Sequence, residues 1–156
     1  MKKIGQNPLP VSADRIAMGA RAWASVVSQN ALGPHIDTRG ATKEVAPTII
    51  EVYPGATARA LRESGERYKK NASARRPLLE HGQKMFNVDF NGKLDTLISS
   101  GEDSNSTDAF LAALTAAIYL ADCRGESLAG WHIRRPDRSE IADAAVEGWI
   151  FFPIRK

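Results

Sequence analysis

The hydrophobic positions of this 156-residue chain follow a helical repeat over most of its length and a strand pattern at two places. After Ser12, apolar residues recur at helical spacing as far as Ala31, which predicts a first helix. The same spacing predicts helices from Thr57 to about Arg67, from Ser73 to about Phe86, around residues 94–98 and from about Thr107 to Cys123.

The helix predicted from about Thr107 to Cys123 has the widest apolar face. Its expected inner side consists of Phe110, Leu111, Leu114, Ala117, Ile118 and Ala121. Ser106 or Thr107 is expected to cap the first turn, and Gly125 is expected to end the helix. We therefore expect this helix to lie at the centre of the core.

Strand patterns occur at residues 48–53 and 148–152, where β-branched and aromatic residues are concentrated. The pattern also predicts a short strand at 131–133 and a short helix that begins at Ser139. Two strands alone make a marginal sheet. We expect the sheet to be completed by further strands of this chain, by a second copy or by another protein.

These elements predict a helix-rich α/β fold, with an irregular lead-in at residues 1–10 and a single domain over residues 11–156. The single cysteine, Cys123, excludes an internal disulfide and a thiolate metal cluster. No apolar run approaches the roughly 18 residues of a membrane span, and no signal-peptide pattern follows Met1. We expect a cytoplasmic, bacterial-type protein that does not bind a membrane.

The net charge of +3 permits an anionic partner such as nucleic acid but does not require one. The arginine pairs Arg75-Arg76 and Arg134-Arg135 are expected to lie on the solvated surface, the usual location of arginine. Charge therefore leaves the class of partner open.

Three acidic residues have surroundings that suggest a functional site. Glu51 lies inside an apolar strand, where an unpaired charge costs several kcal/mol. Asp108 opens the long helix, and Glu147 precedes the last strand. Each also has a structural explanation: an ion pair of Glu51 with Arg59, Arg75 or Arg76, a favourable helix start at Asp108, and a solvated strand end at Glu147. If Glu51 and Asp108 converge, they can share Mg²⁺ or Mn²⁺.

Three segments occur in an order that resembles a known family. They are Glu51-Val-Tyr-Pro-Gly-Ala-Thr57, Ser106-Thr-Asp-Ala-Phe-Leu-Ala-Ala-Leu-Thr-Ala116 and Glu147-Gly-Trp-Ile-Phe-Phe-Pro153, with Arg75-Arg76-Pro-Leu-Leu79 between them. Over roughly residues 11–153 the chain is similar to the C-terminal part of the predicted RNase H-like nuclease family, domain of unknown function 429.

The resemblance implies an RNase H-like α/β fold whose acidic residues bind divalent metal for phosphodiester cleavage. By position, Glu51 matches the acid on the family's mid-fold strand and Asp108 matches the acid on its late helix. Glu147 matches the closing segment, with no role assigned to it. The family's N-terminal β-meander, whose first strand carries a leading aspartate, has no counterpart here. The implied fold is therefore a truncated RNase H-like fold.

Three hypotheses follow. In the first, the chain is a non-catalytic binding or interaction protein that forms a dimer through a sheet edge. In the second, it is a metal-dependent nuclease in which Glu51 and Asp108 work with acids from a partner chain. In the third, it is a fragment of a longer protein and is inactive alone. We favour the first hypothesis.

Overall fold

The computed structural model describes residues 25–26, 29, 49–61, 68–99, 105–143 and 149–155. The elements with defined bounds are β1 (Glu51–Val52), α1 (Pro54–Ala60), a 3-10 helix (Ala72–Ala74), α2 (Arg75–Phe86), α3 (Leu94–Ser99), α4 (Asn105–Cys123), β2 (Trp131–Ile133), β3 (Ile150–Phe151) and β4 (Pro153–Arg155). These residues form a mixed α/β structure with small sheets in which helices predominate, as predicted. None of the described helices is both long and apolar enough to cross a membrane.

The chain divides into two compact units, Met1–Ile36 and Asp37–Lys156. All elements from β1 to β4 belong to the second unit. In the first unit only Ser25, Val26 and Gln29 are described, and they are helical. The rest of the helix predicted after Ser12 lies outside the described residues, and the predicted single domain over 11–156 stays a prediction.

The two predicted strands pair with each other in parallel, with Glu51 opposite Ile150 and Val52 opposite Phe151. Each strand is only two residues long, which is shorter than predicted. Two parallel strands need a long crossover connection, and the helices between β1 and β3 in the sequence provide it. The sheet formed by β1 and β3 is therefore small.

The described residues also contain a second two-stranded sheet. Strand β4 follows β3 after Phe152 and pairs antiparallel with β2, with Ile133 opposite Pro153. Pro153 is the first residue of β4, a strand position that tolerates the missing N–H. The sequence pattern predicted β2 but not β4. Further strands of the same chain are thus present, while completion by a second copy stays a prediction.

Helix α4 lies at the centre of the described core, as predicted. It packs against α1 and β2, and its buried residues are Thr107, Leu111, Leu114, Thr115, Ile118 and Tyr119. The Tyr119 and Phe151 rings meet edge to face with 5.1 Å between their centroids. The two hydroxyl oxygens of Thr57 and Thr115 lie 2.7 Å apart, which satisfies polar groups buried between α1 and α4.

The outer side of α4 is also apolar. Its exposed residues between 109 and 120 are Ala109, Ala113, Ala116, Ala117 and Leu120. The prediction that Ala117 lies on the inner face is therefore wrong. A surface helix usually places polar residues toward solvent. The central helix has an uncovered apolar face instead.

Two predicted helix starts are wrong. Helix α1 begins at Pro54, and Thr57 lies buried within it instead of capping it. Proline favours the first helical position because its φ is already helical and its missing N–H has no partner there. Helix α4 includes Asn105, so Ser106 and Thr107 lie inside its first turn.

The predicted end of α4 is confirmed. Gly125 has a φ of +76°, a left-handed conformation that glycine adopts without a steric penalty. The N–H of Glu126 donates to the carbonyl of Ala121 at 3.0 Å, and Gly125 N–H donates to the Asp122 carbonyl at 3.1 Å. This pair of bonds closes the helix by satisfying its last carbonyl groups.

Candidate functional site

Asp108 lies in the first turn of α4, and both of its carboxylate oxygens have partners. Oδ1 accepts a hydrogen bond from the Tyr68 hydroxyl with 2.5 Å between the oxygens. Oδ2 lies 3.0 Å from Lys69 Nζ. The Asp108 side chain is 23% exposed. The carboxylate is therefore engaged by two neighbouring residues of the segment that precedes α2.

Tyr68 is buried, with 1% of its surface exposed. Burial raises the pKa of its hydroxyl far above the ordinary value, and the hydrogen bond to the negatively charged Asp108 raises this pKa further. Tyr68 therefore stays protonated, and remains a hydrogen-bond donor to Asp108, into the alkaline range. The short distance between the two oxygens is typical of a hydrogen bond that a carboxylate accepts from a hydroxyl group.

Arg75 holds the backbone of this segment in place. It is the first residue of α2 and is 2% exposed. Its Nε donates to the carbonyl of Tyr68 at 2.9 Å, and one terminal nitrogen lies 3.4 Å from the carbonyl of Lys69. We call Tyr68, Lys69, Arg75 and Asp108 the Asp108 cluster.

The prediction that Arg75 is solvated is therefore wrong, while Arg76 is exposed as predicted. Arg76 forms ion pairs with Glu80 and Asp95 on the surface. Consecutive residues of a helix point in different directions, so one arginine enters the core and the next faces solvent. The sequence pattern alone treats the two arginines alike.

Glu51 is exposed, so the prediction that its strand buries it is wrong. Side chains of a strand alternate between its two faces. Ile50 and Val52 pack against the core, and Glu51 between them faces the other way. An exposed carboxylate carries little desolvation cost, which removes the energetic reason for expecting a partner.

Of the three acidic residues predicted to form a site, the structure describes Glu51 and Asp108. In that part of the chain no three His, Cys, Asp or Glu side chains are grouped closely enough to hold a metal ion. Glu147 lies outside the described residues. Binding of Mg²⁺ or Mn²⁺ at Glu51 and Asp108 stays a prediction.

A second charged group lies at the other end of α4 and was not predicted. Asp122 accepts from Arg135 Nε at 3.1 Å, and its other oxygen lies 3.1 Å from His132 Nδ1. Arg135 also donates to Cys123 Sγ at 3.4 Å and lies over the Tyr119 ring. The Arg135 side chain is only 18% exposed, so the prediction that it is solvated is wrong.

The charges at this end of α4 have a structural explanation. An aspartate in the last turn of a helix is unfavourable because the helix dipole places partial negative charge there. Arg135 and His132 supply compensating positive or donor groups to Asp122. An acid in a final helical turn is the signal that could have predicted such partners. These contacts fasten β2 and the following loop to α4.

Arg134 makes a further set of contacts in the same loop. One terminal nitrogen lies 2.5 Å from Glu140 Oε2, and the guanidinium lies over the Trp149 ring. The Trp149 indole N–H donates to the Arg134 carbonyl at 3.0 Å. The Arg134 side chain is 28% exposed, so it lies at the surface but is less solvated than predicted.

The two adjacent arginines at the start of α2 provide a matched test of the Asp108 cluster. We expect Arg75→Met to lower the free energy of unfolding by on the order of 3 kcal/mol, because the buried carbonyl of Tyr68 loses the hydrogen bond that Arg75 donates. Arg76→Met, the control, should stay close to the unmodified protein because Arg76 is exposed. Urea unfolding followed by circular dichroism measures both. Equal effects of the two substitutions would show that Arg75 does not hold the cluster.

The raised pKa of Tyr68 predicts how stability depends on alkaline pH. The folded chain keeps Tyr68 protonated, while the unfolded chain loses that proton near the ordinary pKa of 10.0. The unfolded state then binds fewer protons, so this contribution is present below about pH 10 and declines as pH rises further. We expect the stability difference between the unmodified protein and Tyr68→Phe to shrink from about pH 9 to about pH 11. Urea unfolding across this range measures it, and parallel pH profiles would contradict the expectation.

Comparisons with known proteins do not extend these observations. A scan against protein-family models, a search of curated proteins and a search of solved structures found no match to this chain. The resemblance to the RNase H-like family stays a prediction.

Proposed function

We propose that this chain is a non-catalytic binding or interaction protein that forms a dimer and has a truncated RNase H-like fold. The observation that carries the proposal is the engagement of both Asp108 oxygens by Tyr68 and Lys69. Asp108 is one of the two residues, with Glu51, that would hold a metal in the nuclease alternative. Its carboxylate serves the packing of α4 against the segment that precedes α2.

Binding of a divalent cation at Asp108 competes with these contacts. A metal-bound carboxylate directs its oxygens at the cation, whereas Lys69 Nζ already lies 3.0 Å from Oδ2 and supplies a positive charge. Hydrogen bonds to charged groups contribute about 1.5–3 kcal/mol each, and a metal would have to offset the loss of the one from Tyr68. Arg75 further restrains the Tyr68 backbone against moving away.

The small sheet supports self-association. In the described part of the chain β1 and β3 form a sheet of two strands, so each strand has an edge with no strand partner there. Such edges favour pairing with another chain. Ile150 on β3 is 45% exposed, which adds apolar surface at this edge. A second copy related by a twofold axis is the commonest partner in such an arrangement.

The exposed isoleucines Ile150 and Ile141 provide a matched test of dimerisation. Light scattering after size-exclusion chromatography should give about twice the 17.0 kDa chain mass at micromolar concentration. We expect Ile150→Lys to reduce this to the monomer mass, because a charge on an edge strand opposes pairing. Ile141→Lys, at 47% exposure and outside β3, should leave the dimer intact. A monomeric unmodified protein, or a dimer that Ile150→Lys leaves intact, would contradict the proposed interface.

The nuclease alternative, with Glu51, Asp108 and acids from a partner chain, makes an opposite prediction in a cleavage assay. We expect no cleavage of single- or double-stranded nucleic acid in Mg²⁺ or Mn²⁺ that depends on Asp108. The assay compares the unmodified protein with Glu51→Gln, Asp108→Asn and the exposed control Asp143→Asn. Metal-dependent cleavage that Asp108→Asn abolishes and Asp143→Asn retains would establish the alternative and overturn the non-catalytic proposal.

A further inference from the structure

We draw no further inference here: the strongest candidate, the exposed apolar face of α4 formed by Ala109, Ala113, Ala116, Ala117 and Leu120, carries none because nothing in the structure shows what covers it.

Discussion

The hydrogen bond from Tyr68 to Asp108 is the contact on which the proposed structural role of Asp108 depends. It joins the start of the central helix α4 to the segment that precedes α2, and Arg75 donates a hydrogen bond to the Tyr68 carbonyl of that segment. Burial and the hydrogen bond to Asp108 raise the pKa of the Tyr68 hydroxyl, so Tyr68 stays protonated and donates to the carboxylate into the alkaline range. The neighbours of Asp108 thus support a structural role for it, whereas the family resemblance would make it a metal ligand.

The sequence predicted the features of the fold that depend on local patterns. The β-branched residues around Glu51 and the aromatic residues around Phe151 form strands, and the helical repeat from Thr107 onward forms α4. It placed the strands around Glu51 and Phe151 in one small sheet, which is confirmed, but it did not predict the second sheet of β2 and β4. Helix starts were also missed. At α1 a proline and a threonine both suit a helix start, and Pro54 is the one that begins the helix.

The candidate site was predictable only in part because burial is decided by packing that a linear pattern does not contain. Arg75 and Arg76 are identical neighbours, yet the orientation of α2 places one in the core and the other in solvent. Glu51 was wrongly predicted to be buried, because apolar residues lie on both sides of it. The alternation of side chains along the strand places it in solvent. Asp108 was identified from its helix start, but its partner Tyr68 lies 40 residues earlier in the chain.

The most direct test of the structural role of Asp108 is a double-mutant cycle. The unfolding free energies of the unmodified protein, Tyr68→Phe, Asp108→Ala and the double variant are measured by urea unfolding at neutral pH. We expect a coupling of about 1.5–3 kcal/mol between the two positions, because each single change breaks the same charge-assisted hydrogen bond. A coupling near zero would show that Tyr68 does not hold Asp108 and would contradict the account.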